Sequence, residues 1–347
     1  MIEKLNFASD YMEGAHQAIL DALVKTNMLS SPGYGADDFC KEAAKKILEA
    51  SSCPNGDVYF LVGGTQTNAT VIDCILNKYQ GVIAADSGHI AVHEAGAIEY
   101  GGHKVLTVKG KAGKISAEQV QALVSDWEKD ENSSHMVMPG MCYISQPTEY
   151  GTVYSLKELE ALSAVCKKNS IPLFVDGARL AYALASSEND VELKDLARLA
   201  DVFYIGGTKC GCLFGEAVVF PKKNFIPHFF TMIKQHGALL AKGRLLGVQF
   251  ATLFTDNLYL KLGEPAISAA KKIEKKLVEC GFKLFVTNQT NQVMFIIEND
   301  RLKKLSELCA YGFIEKFDER SSVIRFATAW STTSEKTDKL LKVIEKI

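Results

Sequence analysis

Apolar and polar positions along this chain fall into short blocks that switch between two periods. Residues 58–62, V-Y-F-L-V, are an apolar run closed by Gly63 and Gly64, and the following T-Q-T-N-A-T-V-I-D-C-I-L (65–76) has helical spacing. The unit recurs as G-V-I-A-A-D (81–86) before H-I-A-V-H-E-A-G-A-I-E-Y-G-G (89–102), then K-V-L-T-V (104–108). H-M-V-M-P-G-M-C-Y-I-S (135–145) reads as a buried strand around a Pro-Gly break. I-P-L-F-V-D (171–176) precedes R-L-A-Y-A-L-A (179–185), and D-V-F-Y-I (201–205) is followed by E-A-V-V-F (216–220). Between them S-L-K-E-L-E-A-L-S-A-V-C-K-K (155–168) is an amphipathic helix, with Ser155 as N-cap and Glu158 completing a capping box. Strands alternating with helices predict an α/β fold with a mainly parallel sheet covered on both faces. Ligands of such sheets gather at the carboxyl ends of the strands.

Past about Phe254 the pattern changes. P-A-I-S-A-A-K-K-I-E-K-K-L-V-E-C-G (265–281) is an amphipathic helix with a glycine at its end. K-L-F-V (283–286), Q-V-M-F-I-I (292–297) and V-I-R-F-A (323–327) are separated strands, with helices expected over 301–312 and 334–347. The expected organisation is an N-terminal segment with a large α/β domain over 1–254 and a small α+β domain over 255–347. No internal repeat or low-complexity linker interrupts it.

Composition narrows the function. The 347 residues suffice for two cores, and the net charge of −2 comes without basic blocks, which gives no reason to expect nucleic acid or an anionic membrane as partner. The longest apolar runs are broken by Asp and Arg, so none reads as a bilayer span, and M-I-E-K-L-N-F-A-S-D has no apolar signal core; a cytoplasmic protein is expected. Nine scattered cysteines, an odd number, point to reduced thiols. Cys210 and Cys212 form a C-x-C without two further ligands at zinc spacing, so no structural metal is expected there.

The polar residues that remain sit just past strand ends. Gly63-Gly64-Thr65 opens a helix, whose free N–H groups and positive dipole end can bind a phosphate; the plain alternative is a turn. Asp86-Ser87-Gly88-His89 precedes His93 and Glu94. His89 is either a satisfied strand-end histidine, a ring that stacks on a flat cofactor, or, with His93 four residues on, half of a metal pair. Asp176 ends a fully apolar strand, where a carboxylate is costly unless paired: it caps the next helix or faces a buried cation such as a pyridinium nitrogen, and Arg179 can face the same cleft. Lys209 follows an apolar strand and a Gly-Gly-Thr turn; it is a solvated loop lysine or an amine nucleophile. A phosphate cradle, a Schiff-base lysine and an acidic partner for a ring nitrogen are together what pyridoxal 5'-phosphate (PLP) requires.

These residues carry a resemblance. F-V-D-G-A-R-L (174–180), followed by G-G-T-K-C-G (206–211), resembles the threonine aldolase or β-eliminating lyase family of fold type I PLP-dependent enzymes. Ala8-Ser9-Asp10, Gly64-Thr65, D-S-G-H-I with Glu94, and V-I-R-F-A-T (323–328) extend the likeness over nearly the whole chain. The resemblance implies a low-specificity L-threonine aldolase type of activity, retro-aldol cleavage of L-threonine, L-allo-threonine or a related β-hydroxy amino acid to glycine and an aldehyde. It implies that Lys209 holds the cofactor, Asp176 its ring nitrogen, and Gly64 and Thr65 its phosphate, with His89 stacked on the ring. Ser9, Arg179 and Arg325 would receive the substrate carboxylate. It also implies a homotetramer built from dimers, with a basic residue, Arg244 or secondarily Lys234, sent to the neighbour's phosphate. Gln146-Pro147-Thr148-Glu149 departs from the family's Asn-Thr-His, so Glu149 stands where a histidine near the substrate hydroxyl is expected, and the base there is His89 or a water held by His89 and Glu149. The competing expectations are a PLP-dependent β-eliminating lyase or aminotransferase, a metal-dependent lyase or hydrolase using His89, His93 and Glu94, and a scaffold without activity.

Overall fold

A computed structural model describes residues 4–347. Apolar runs become strands because their β-branched and aromatic side chains find packed layers on both sides. The first strand is short, β1 (Leu5–Asn6). The large sheet is built from β2 (Asp57–Leu61), β3 (Gln80–Ala85), β4 (Val105–Val108), β5 (Met138–Ser145), β6 (Leu173–Asp176), β7 (Val202–Gly206) and β8 (Glu216–Phe220), in the order β2-β8-β7-β6-β5-β3-β4. The pairs from β4 through β3, β5 and β6 to β7 are parallel, and β8 is antiparallel to both β7 and β2. β2 therefore runs with the parallel strands, and only β8 opposes them.

The two-residue period of these strands divides the core. Ile83, Cys142, Ile144, Val175, Phe203 and Ile205 face one layer of helices. Val82, Ala84, Met141, Tyr143, Phe174 and Tyr204 face the other. Because both faces are covered, the strands read as unbroken apolar runs. The helix Leu156–Lys168 starts with the expected box, Ser155 Oγ accepting from Glu158 N and the Glu158 carboxylate from Ser155 N.

The second sheet has the order β12-β13-β10-β9, all antiparallel, from β9 (Lys283–Leu284), β10 (Gln292–Glu298), β12 (Gly312–Lys316) and β13 (Ser321–Ala327). The helix expected to reach residue 312 stops at Leu308, because Cys309 is buried and β11 (Cys309–Ala310) pairs in parallel with β1. Phe7 N donates to Ala310 O and Ala327 N to Phe7 O, at 3.0 and 2.8 Å. Phe7 thus belongs to the small core with Phe295, Ile324 and Phe326. The helix Gly263–Glu279 spans both bodies: Ala266 and Ile267 pack in the large core, Ala270 and Ile273 in the small one. We propose that the division of the chain runs through this helix rather than at residue 254, with the first residues counted in the small unit. The stretch 89–102 forms two single turns, His89–Val92 and Ala97–Tyr100, separated where Ala95 and Gly96 take positive φ. Among the described residues no helix is long and apolar enough to cross a membrane.

Candidate active site

The carboxyl ends of β2, β3, β5, β6 and β7 share one rim, and antiparallel β8 begins there with Glu216, opposite Gly206. An inner cavity of about 270 Å³ opens on this rim, lined among others by Gly63, Gly64, Thr65, His89, Asp176, Arg179, Lys209 and Glu216. An outer cavity of about 640 Å³ shares Tyr11, His89, Glu149, Arg179 and Lys209 with it and adds Arg325. The chain so brings together nearly all the residues singled out from sequence.

Gly64 is the first residue of the helix Gly64–Ile75, and Gly63 is its cap, with no side-chain cap bond. The helix therefore presents free N–H groups and its positive end to the cavity. A Cβ on Gly64 would stand 3.2 Å from Tyr204 Oη, so the absence of a side chain keeps this wall open.

Asp176 ends β6, buried, where an unpaired carboxylate is disfavoured. It is held by four donors. Tyr204 Oη and Ala178 N donate to Oδ1 at 2.5 and 2.9 Å, and Tyr143 Oη and Asn68 Nδ2 to Oδ2 at 2.5 and 3.1 Å. Burial pushes its pKa up, but His89 and the hydrogen bonds from Tyr143, Tyr204 and Ala178 outweigh that and hold it below the usual carboxylate range. Asn68 also donates to Glu94 Oε1 at 2.8 Å, and the same oxygen contacts His89 Nδ1 at 2.8 Å. An ionised Glu94 only accepts, so Nδ1 carries a proton, and in the neutral ring Nε2 keeps a lone pair.

Lys209 follows the Gly206-Gly207-Thr208 turn, its carbonyl accepting from Tyr182 Oη at 2.5 Å. Burial, and then the Arg179 charge, lower its pKa, which favours the neutral amine. Nearby Glu216 moves the opposite way. Burial pushes it up to about 8, against hydrogen bonds from Thr208 Oγ1 at 2.8 Å and Gly207 N at 3.1 Å.

The cationic side of the site is Arg179 and Arg325. Arg179 donates from Nε and Nη2 to Asp10 at 2.6 and 3.0 Å, and Asn291 Nδ2 also donates to Asp10, at 2.9 Å. Burial opposes the Asp10 charge, but Arg179 and then Lys209 hold its carboxyl well below the usual range. The Arg179 Nη1 edge makes no hydrogen bond among the described residues. Arg325, on β13, donates to Gln292 Oε1 at 2.7 Å and Ala8 O at 3.1 Å, while its buried Nε has no partner among the described residues. Burial, and then Arg179, push Arg325 down to about 10. The buried Ser9 Oγ is likewise unpartnered among the described residues. Arg179 and Arg325 line the outer cavity together, a pair of guanidiniums suited to a carboxylate, whereas Ser9 lines neither cavity.

Glu149 follows the β5 strand end. Its Oε1 accepts from His89 N at 2.9 Å and Ser145 Oγ at 2.7 Å, and burial raises its pKa above the usual range. Arg244 lies elsewhere in this chain: its guanidinium is bound by the carbonyls of Thr26 and Leu29, 5.1 Å over the Phe39 ring, and it lines neither cavity. Lys234 sits 4.6 Å over the Tyr34 ring. The His89 and His93 rings are 5.9 Å apart, with Glu94 hydrogen-bonded to His89. Among the described residues no group of three or more His, Cys, Asp or Glu is placed to hold a metal, and the Cys210 and Cys212 thiols are buried.

Sequence reasoning passed over Asn68, Tyr143, Tyr204 and Glu216 and left Asp10 without a role. The tyrosines and Glu216 lie on strands read only as apolar runs. Asp10 had a signal, its place beside Ser9, but its partner is 169 residues away.

The model of the beta-eliminating lyase family matches residues 6–300. A low specificity L-threonine aldolase of a Pseudomonas species is 29% identical over 350 residues, covering 98% of this chain and 97% of that protein. The solved structure of a Leishmania major threonine aldolase superposes with a TM-score of 0.95 at 40% identity, covering 99% of each chain. A Thermus thermophilus aspartate aminotransferase shares the fold at a TM-score of 0.73 and 14% identity, covering 99% of this chain and 91% of that one.

Proposed function

The chain belongs to the beta-eliminating lyase family, and from that membership we propose that it is a PLP-dependent aldolase, cleaving L-threonine, L-allo-threonine or a related β-hydroxy amino acid to glycine and an aldehyde. The observation that carries this reading is the convergence of a buried amine whose pKa is lowered (Lys209), a buried carboxylate held below the usual range (Asp176) and an open helix N-terminus (Gly64 and Thr65) on one cavity of about 270 Å³. These residues fit the cofactor. Gly64 leaves room for a phosphate, Lys209 is the amine for its aldehyde, and Asp176 is the anion for its ring nitrogen. Arg325 lines the outer cavity with Arg179, and its Nε and the Oγ of Ser9 have no partner among the described residues.

PLP, when bound, supplies a sink for the electron pair released as a Cα bond breaks. Asp176, kept ionised by its four donors, holds a proton on the ring nitrogen; the His89 ring faces the same space. Arg179 offers its Nη1 edge to the substrate carboxylate, with Nε fixed by Asp10, and Arg325 and Ser9 complete the clamp. Holding the carboxylate fixes which Cα bond is aligned for cleavage, a positioning effect. His89 Nε2, left with its lone pair because Glu94 takes the Nδ1 proton's bond, accepts the β-hydroxyl proton, directly or through a water shared with Glu149. Arg244 or Lys234 would reach a neighbour's phosphate in a dimer of dimers, and nine unpaired cysteines support a cytoplasmic setting.

The test is the visible spectrum and the products of the purified chain. Bound cofactor absorbance, lost in Lys209→Ala, with glycine and an aldehyde formed from L-threonine, is the expected result. Retained absorbance in that variant removes Lys209 from its role. An oxo acid and ammonia as products would instead mark a β-eliminating enzyme.

A further inference from the structure

Glu216 has no part in the reaction just described, yet it is buried in the wall of the inner cavity beside Lys209 and Thr208. Its surroundings limit its hydrogen bonds. Thr208 Oγ1 lies 2.8 Å from Glu216 Oε1 and accepts from Gly215 N at 3.0 Å, and Gly207 N donates to Glu216 Oε2 at 3.1 Å. While Glu216 is ionised it can only accept, so the Thr208 hydroxyl proton points at it. Thr208 then has no donor for the cavity, and the wall carries a negative charge. Once Glu216 is protonated, the bond can reverse. Glu216 Oε1–H donates to Thr208 Oγ1, whose two lone pairs serve Glu216 and Gly215 N, and the Thr208 proton, left with only the long contact to Gly215 O at 3.5 Å, can turn to an anion. Gly63, Gly64 and Thr65 line the same cavity.

Resting on the proposed PLP-binding function, we infer that Glu216 is a proton-linked gate on phosphate binding: the cofactor's phosphate is admitted with Glu216 neutral and Thr208 donating, and it is repelled when Glu216 ionises. Glu216 resists ionisation until about pH 8, chiefly through burial, so the gate works just above neutrality. The sign follows from linkage. Below that range Glu216 is already neutral and binding takes up little proton there; above it, binding must restore the proton, so affinity falls by up to about tenfold per pH unit.

The other titratable groups around Glu216 are accounted for. Tyr204, Tyr259, Cys210 and Cys212 are all pushed up by burial and stay neutral in this window, and Asp176 stays ionised. Lys209, whose pKa is lowered, is the other group able to change charge.

The experiment is calorimetric titration of pyridoxine 5'-phosphate, which has no aldehyde for Lys209, into the full chain freed of PLP. It is run from about pH 7 to about pH 9 in buffers of different ionisation enthalpy, which counts protons taken up. Wild type is expected to gain most of one proton on binding at about pH 9. Glu216→Gln, whose amide can donate to Thr208 as the neutral acid does, should lose that uptake while Lys209 remains. Its affinity should fall about tenfold less across the range. Pyridoxine, without the phosphate, should show no Glu216-dependent uptake. If Glu216→Gln folds poorly, Thr208→Val reads the same gate, with weaker phosphate binding at about pH 7 and a shallower pH slope. Equal proton counts in wild type and Glu216→Gln, or unchanged phosphate affinity at about pH 7 in Thr208→Val, overturn the gate and leave the enzyme assignment standing. Failure of wild type to bind either PLP or pyridoxine 5'-phosphate overturns the assignment itself.

Discussion

Replacing Asp10 with asparagine removes one charge from the pair that aims Arg179 and keeps its shape. The Asp10 side chain is fully buried and that of Arg179 is 11% exposed, so water cannot take the place of the lost charge. Removing one partner of a buried ion pair costs about 3–5 kcal/mol, because the other charge is left uncompensated. The amide introduced by Asp10→Asn still offers one acceptor to the guanidinium, which places the expected loss near ~3 kcal/mol. With unfolding entropy of about 2.1 cal/mol/K per residue, a chain of 347 residues carries ~0.7 kcal/mol/K, so Tm should fall by about 4 °C. Ligand response makes the test specific. In wild type, Asp10 is the carboxylate hydrogen-bonded to Arg179 and acts on Arg325 through space; Asp10→Asn removes its charge, and a carboxylate ligand restores one. Saturating glycine should therefore raise the Tm of PLP-loaded Asp10→Asn by more than it raises wild type. Thermal unfolding of both proteins with and without glycine measures both quantities. An unchanged Tm refutes the ion pair as a stabilising contact, and equal glycine responses refute Arg179 as the receiver of the carboxylate.

Three further outcomes can be checked together. Asp176→Asn keeps the side-chain shape and one acceptor oxygen but not the charge proposed to face the ring nitrogen, so turnover should fall by about two orders of magnitude or more; near-wild-type turnover would remove Asp176 from the electron-sink role. Arg325→Lys loses the planar fork, and loss of about 2 kcal/mol should raise the amino-acid KM roughly 30-fold with a smaller change in kcat; the KM is the readout. Glu149 has its pKa raised by burial, so if it helps take the hydroxyl proton, kcat/KM should climb with pH through a value above the usual carboxylate range. Glu149→Gln should erase that acid limb, and a limb that survives assigns it to another group.

How much of this was legible beforehand depended on distance along the chain. The parallel sheet could be read because strands covered on both faces become unbroken apolar runs, and residues 173–175 and 202–205 show it. The chemistry at the strand ends could be read because a polar residue after such a run has few bland explanations. Lys209, Asp176, Gly64 and His89 all meet at one cavity. Short pairings left no periodic trace. A two-residue strand such as Leu5–Asn6 has nothing to alternate, yet its ladder to Cys309–Ala310 is what brings Asp10 to Arg179. Tyr143, Tyr204 and Glu216 were hidden differently. Each lies inside or at the edge of a run whose other members are apolar, and a tyrosine there is equally a core residue.

That second class also shows where the specificity of the site resides. Asp176 is useful only while ionised, and burial alone would neutralise it. Two phenols, one amide side chain and one backbone N–H keep the charge in place. The same sheet supplies Glu216 with only two donors, Thr208 Oγ1 and Gly207 N, and burial pushes it up to about 8. Two carboxyls lining one cavity are driven to opposite protonation states by the hydrogen bonds and charges around them; under the proposed function one would serve the ring nitrogen as an anion and the other the phosphate end as an acid.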